Sequence, residues 1–445
     1  MKSTIRLSDH FTYKKLLRFT FPSIAMMVFS SIYGVVDGFF VSNFAGKTAF
    51  AAVNFIMPFL MILGTVGFMF GTGGSALVSK TMGEGEEKKA NQQFSLFIYV
   101  SAICGVVIAI LGIVFLREVA RLLGAEELLD GCVIYGRIIL IALPAFILQM
   151  EFQAFFVTAE KPNLGLVFTL ASGITNMVLD ALFVGVFKWG IVGAATATAI
   201  SQAVGGFGPV LYFTLKNSSL FQLGKTKFCG RWIANACLNG SSELMSNVSM
   251  SLVGMLYNMQ LMRYAGENGV AAYGVLMYVT MIFIAVFIGY SVGTAPIVGY
   301  HFGAKNQGEL KNLLKKSALF IGVCSFAMFA LAEGFATPLS KIFVSYDPEL
   351  LELTKRGFFI YSFSFLGAGI SIYGSSFFTA LNNGLVSAII SFLRTLVFQV
   401  AAVLLLPPLM GGTDGIWLSI VVAECMSLIA TVTFLFSLRK KYGYL

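Results

Sequence analysis

The chain has 445 residues, 57% of them hydrophobic and only 11% charged, whereas a soluble domain is about a quarter charged. That excludes water as its main solvent, and the net charge of +9 does not mark a nucleic-acid binder, because the positives lie between apolar runs instead of in one basic domain. The runs exceed the ~20 residues that cross ~30 Å of hydrocarbon and lack the two-residue alternation of barrel strands, so an all-α bundle is expected.

Breaks at charged and turn-rich stretches predict helices near 16–43, 50–79, 92–116, 132–157, 164–187 and 191–215. Residues 216–231 are the only long polar connection. A second six follow near 232–262, 270–299, 317–338, 357–380, 385–407 and 415–437. The expected organisation is a first lobe over 1–215, a cytoplasmic linker over 216–231 and a second lobe over 232–445. No cleavable signal peptide is expected, since 1–11 is polar and the first apolar run is long enough to stay in the membrane.

With the N-terminus in the cytoplasm, 20 Lys and Arg fall in inside tails and loops and nine at the outer side (Lys47, Arg117, Arg121, Arg137, Lys188, Arg263, Lys341, Lys355, Arg356), leaving Arg394 within a helix. The positive-inside rule therefore predicts a multi-pass protein of the plasma (inner) membrane with both termini cytoplasmic. The halves also align: at an offset of 220, residues 45–83 match 265–303 at eleven positions without a gap, including Gly73 with Gly293 and Gly83 with Gly303. Later the register drifts by one or two, with Gly193 facing Gly415. Six helices per half make the repeat parallel, related by a pseudo-two-fold axis along the membrane normal, with a central cavity between the lobes.

A charge near the bilayer centre costs at least ~2.5 kcal/mol, so intramembrane acids call for an explanation. Asp37 and Asp180 both lie roughly 10 Å below the outer surface at 1.5 Å per residue. Asn176 shares the face of Asp180 one turn earlier, Tyr33 stands one turn below Asp37, and Thr198 lies at similar depth. Two carboxylates with an amide and a hydroxyl form an oxygen-rich pocket for a hard cation such as Na+, or for a proton held between acids. The positions matching the two acids in the second half are Tyr257 and approximately Ala401, so the scaffold itself does not demand acids there. The second half carries Glu243, Arg394 and Glu424 inside its helices, and either glutamate is placed to neutralise the arginine. Glu151 lies nearer the cytoplasmic end and reads as a packing residue. Pro22 removes a helix hydrogen bond fifteen residues before Asp37 and is a candidate hinge. Six cysteines without CxxC spacing read as packing residues.

On Pro22, Tyr33-x-x-x-Asp37-Gly-Phe-Phe-Val, Gly73 through Gly83-Glu-Gly-Glu-Glu-Lys-Lys-Ala and Asn176-x-x-x-Asp180, the chain resembles the multidrug and toxic compound extrusion (MATE) family over nearly its whole length. The resemblance implies antiport of organic cations or other amphipathic drugs against Na+ or H+ by alternating access, with no cofactor beyond the coupling ion. It is nearest the prokaryotic branch whose ion site lies in the first lobe, onto which Asp37, Asn176, Asp180 and Thr198 map. Tyr135 and Gln153 map onto residues lining that lobe, and Tyr33, Glu243, Arg394 and Glu424 complete the expected substrate cavity. Glu243 does not match the deeper glutamate of the branch that couples through the second lobe. A monomer in contact with membrane lipids is expected.

The nearest alternative is a lipid or lipid-linked oligosaccharide flippase of the same superfamily, whose cavity usually carries several cationic residues where this chain has only Arg394 clearly intramembrane. A membrane enzyme is disfavoured, because His10 and His301 are the only histidines and make no His-metal cluster or catalytic pair.

Overall fold

The computed structural model describes residues 5–123, 128–344, 347–410 and 412–444; the side chains of 47, 342 and 343, and with them that of the outer-side Lys47, lie outside the description. Every regular element among the described residues is helical. In chain order these are α1 (Tyr13–Phe40), α2 (Lys47–Gly83), α3 (Glu87–Leu122), α4 (Leu129–Thr158), α5 (Pro162–Asp180) and α6 (Gly190–Thr214). The continuous stretch Gly230–Gly303 breaks at Gly266, whose φ is 61° and ψ −151°. It is therefore two antiparallel helices, α7 (230–265) and α8 (267–303). The remainder are α9 (Gln307–Val344), α10 (Pro348–Ala380), α11 (Gly384–Met410) and α12 (Thr413–Tyr442). Among the described residues eleven continuous helical stretches are long and apolar enough to cross a membrane, and the break at Gly266 divides one of them into two helices, which makes twelve helices in all.

Local chemistry sets the ends. Thr12 caps α1 through Oγ1 to the Lys15 amide. Asp347 caps α10, accepting from the amides of Glu349 at 2.9 Å and Leu350 at 3.1 Å, with Pro348 in the first turn where its missing N–H costs nothing. Pro22 does not interrupt α1, which is helical on both sides of it. The irregularities lie elsewhere: α1 runs into a π turn at Val41–Ala45, α5 into one at Ala181–Val186, and α11 contains one at Leu393–Val397.

The repeat is visible in the turns. Left-handed backbone occurs at Gly46 and Gly266, and at Gly85 and Lys305, each pair 220 apart; it recurs at Glu160 and Asn382, and at Gly190 and Gly412, each 222 apart. The drift in register thus enters between residues 85 and 160. The first and last described residues and the polar linker lie at one end of the bundle, called here the end bearing the termini. There Leu7 bonds Glu160 in the α4–α5 turn, Gln222 bonds Asn91 near the start of α3, and Asn383 bonds Tyr442.

At that end the first six helices meet the last six through glycines. A Cβ on Gly83 would stand 1.9 Å from the Tyr300 carbonyl, and one on Gly303 would stand 2.0 Å from that of Lys80. Gly73 meets Ala236 and Gly240 in the same way, while Gly293 meets Thr20. Toward the far end, at Gly34, Gly38, Gly254 and Gly274, a Cβ would meet nothing within 4 Å. The close glycine contacts between the halves lie at the end bearing the termini.

Candidate functional site

The buried stripe of α5 runs Gly165, Thr169, Ser172, Gly173, Asn176 and Asp180, the three-and-four spacing of one helical face. Gly173 lets α5 approach α1 closely, since a Cβ there would lie 2.5 Å from Phe29 and 2.9 Å from Tyr33. One and two turns further along, the same faces bring Asn176 and Asp180 against Asp37.

Asp180 is fully buried and Asn176 nearly so, whereas Asp37 is half-buried. The two carboxyls interact directly, with Asn176 beside Asp37. Asn176 Nδ2 donates to Thr198 Oγ1 of α6 at 3.4 Å. Asp37 Oδ1 and both oxygens of Asp180 are sealed from solvent and make no conventional hydrogen bond. Such orphaned oxygens are costly unless a proton or cation completes them. The donor set is all oxygen, which suits a hard cation such as Na+. Among the described residues no group of three or more His, Cys, Asp or Glu could hold a metal.

Tyr135 of α4, 1% exposed, faces Thr198 with Asp37 and Asp180 next in line. It belongs with the acid pair and not on an open cavity wall. Tyr33 contacts Asp37 on one side and Gln149 of α4 on the other. Gln149 Nε2 in turn donates to Ser172 Oγ at 3.3 Å, and that hydroxyl donates to the Ser201 carbonyl at 2.7 Å. Gln153, 4% exposed, is away from the acids and borders a cavity of about 10 Å³ with Gln149, Thr169 and Gly205, room for one water at most. Gln149 was not singled out from sequence, although its spacing of four from Gln153 marks a polar stripe on an otherwise apolar helix.

In the second half, Arg394 lies inside the α11 π turn and pairs with Glu424 of α12, its Nε standing 3.0 Å from Oε2 and 3.1 Å from Oε1. Glu243 of α7 faces the same arginine from a different side. Around this group Tyr257 donates to Gln399 Oε1 at 2.7 Å and stacks on Tyr273 with ring centres 5.6 Å apart. Tyr361 faces Glu424, Arg394 and Thr280. Pro22 is remote from both clusters, buried where α1 meets α8 beside Ser23 and Gly289. Glu151 is fully buried, with Ser101 and Cys104 beside its carboxyl and the Gly71 position of α2 against its backbone.

A family profile described as MatE matches residues 22–182 and 244–404. The chain is 25% identical over 431 residues to the multidrug export protein MepA of Staphylococcus haemolyticus (strain JCSC1435), covering 96% of this chain and 94% of that protein. Among solved structures, a MATE in complex with MaL6 superposes with a TM-score of 0.92 at 22% identity, covering 99% of this chain and 100% of that one. The outward-facing conformation of a multidrug resistance MATE family transporter of the MOP superfamily gives 0.91 at 23% identity, with 99% of each chain covered.

Proposed function

The chain belongs to the MatE family, and from that premise we propose that it exports organic cations and other amphipathic, drug-like molecules in exchange for H+ or Na+. The observation that carries the reading is the Asp37–Asp180 pair with its orphaned oxygens. Two carboxyls in contact, with three of their four oxygens sealed from solvent and no cationic side chain beside them among the described residues, make a site that wants one positive charge. Asp37, Asp180, Asn176 and Thr198 would hold it, with the Tyr135 phenol closing the shell. Residues 1–215 and 232–445 then act as two lobes joined by the 216–231 linker, working as a monomer among membrane lipids. The end bearing the termini lies in the cytoplasm and the protein in the plasma membrane, in keeping with the loop charges.

Exchange needs the ion and the drug to favour opposite arrangements of the lobes. Asp37 is the element-linking residue: it sits on α1, which also packs against the second half at Gly289 and Gly293, while Asp180, Tyr135 and Thr198 sit on α5, α4 and α6. Neutralising the pair changes how α1 is held by its own lobe, and α1 carries that change to the lobe interface. A phosphate-carrying lipid cargo is disfavoured, because Arg394 is already engaged by Glu424. Purified protein in liposomes, loaded with a fluorescent organic cation, tests the reading under an imposed pH gradient or an imposed sodium gradient. One of the two gradients should drive uptake or release against the cation's own gradient. If neither does, and an anionic lipid-linked sugar crosses instead, the proposal fails.

A further inference from the structure

Residues 5–12, ahead of α1, form no helix and lie across the closed end of the bundle as a strap. Leu7 and Phe11 are wholly buried. The Leu7 amide donates to Glu160 Oε1 at 2.6 Å, in the first half. The next anchors are all in the second half. His10 Nδ1 stands 2.7 Å from Glu309 Oε2, and the Phe11 amide donates to Glu309 Oε1 at 2.9 Å. The Phe11 carbonyl accepts from Asn312 Nδ2 at 3.0 Å and Lys316 Nζ at 2.5 Å, and Lys316 also lies over the Tyr13 ring. Buried His301 at the end of α8 faces the strap backbone at Leu7 and Asp9.

The strap is also braced within the first half. Asp9 accepts from the Arg6 amide at 3.1 Å and from Lys15 Nζ at 3.0 Å. Burial works to raise the Asp9 carboxyl, but Lys15 and the Arg6 amide together hold it below its usual value. Burial pushes the Glu160 carboxyl up, opposed by the Leu7 amide.

These bonds differ in kind from the glycine contacts beneath them. The strap continues covalently into α1 and is pinned to the α4–α5 turn, so it belongs to the first half, yet Glu309, Asn312 and Lys316 hold it to α9 of the second. The halves cannot separate at this end with both sets intact. The Glu309 carboxylate, 6% exposed, is the knot, accepting from His10, Phe11 and Asn312 at once. Hydrogen bonds to a charged acceptor are the strong ones. The geometry points to a latch: residues 5–12 hold the end bearing the termini shut through Glu309, and their release from α9 sets how readily that end opens.

This inference rests on the alternating-access reading, and its test separates the two. In full-length protein with the native cysteines replaced, Ser79→Cys reports opening, because Ser79 is buried under Gly299, where a Cβ would stand 2.3 Å from its Oγ. Maleimide labelling of this reporter in proteoliposomes should rise about tenfold on adding Glu309→Gln, and comparably for His10→Ala, the shift expected when a few hydrogen bonds bias a two-state equilibrium. A second variant guards against misfolding. His10→Cys with Glu309→Cys, joined by a short bis-methanethiosulfonate that forms a disulfide with each thiol by displacing methanesulfinate, should block both reporter labelling and drug transport until a reductant cuts the tether. If drug and ion gradients alter labelling but neither variants nor tether do, the strap is passive and the latch is wrong. If labelling responds to nothing, alternating access fails, and the latch with it.

Discussion

Asp37 and Asp180 lie 143 residues apart in sequence and meet because Gly173 lets α5 close on α1. Asp37→Asn keeps the side-chain volume and removes the charge that the proposed coupling ion would neutralise. It should abolish gradient-driven efflux while leaving the thermal melt of the purified protein near wild type. Asp180→Asn should impair efflux less completely. A normal efflux rate in Asp37→Asn would end the coupling assignment, and loss of efflux only with a collapsed melt would make the residue structural. Arg394 and Glu424 behave differently, since each satisfies the other. Arg394→Gln or Glu424→Gln strands a mostly buried charge and should cost about 3–5 kcal/mol, whereas the double change to Met and Leu should recover most of that. Denaturation of the three variants in detergent measures it; equal costs for single and double changes would show that the pair is not the energetic unit. The acids and the arginine were legible because charge inside an apolar run is rare. Their partners were less so: Tyr135 and Gln149 are neutral residues whose role depends on which helix faces them, and the choice of Glu424 over Glu243 for Arg394 needed the packing of α11 against α12.

Helix positions could be read from apolar runs alone, because a membrane-spanning helix announces itself by length. Their ends extend beyond the sequence estimates, α1 reaching from Tyr13 instead of residue 16 and α2 to Gly83 instead of 79, since polar residues at a membrane surface continue a helix as readily as they stop it. The π turns left no trace in the sequence. Yet Asp37 stands four residues before one, Asp180 immediately before another and Arg394 inside the third, and such turns recur at functional sites because they spoil the regular ladder locally. At Val41, Ala181 and Leu393 the amide is shared between two carbonyls, which leaves these stretches less firmly bonded than the helix before them. Pro22, by contrast, sits in continuous helix. Pro22→Ala restores one N–H and removes a ring clash. It should raise the melting temperature and, if α1 bends there during the cycle, slow turnover in proteoliposomes severalfold. Unchanged turnover with a higher melting temperature would assign the bending of α1 to the π turn at 41–45 instead.

At the scale of the whole molecule, two homologous halves close on each other at one end through matched contacts. Gly83 lies against the Tyr300 carbonyl and Gly303 against the Lys80 carbonyl, and both residues and both partners are 220 apart. Only glycine permits these approaches, because a methyl group at 1.9 or 2.0 Å from a backbone oxygen cannot be relieved by turning a side chain. Each helix can fold perfectly well with alanine there, which is a better helix former; what it cannot do is reach this closed arrangement. Gly83→Ala and Gly303→Ala should therefore leave the protein folded and inserted, prevent closure at the end bearing the termini, and abolish exchange, to similar extents because the two contacts are equivalent. Gly34→Ala and Gly254→Ala, also 220 apart and with nothing within 4 Å of the added atom in this arrangement, serve as controls for closure at the end bearing the termini and should leave it intact. Labelling of Ser79→Cys measures closure and proteoliposome flux measures exchange. If Gly83→Ala blocks closure while Gly303→Ala is tolerated, the repeat is a matter of ancestry only, and one half alone forms the gate.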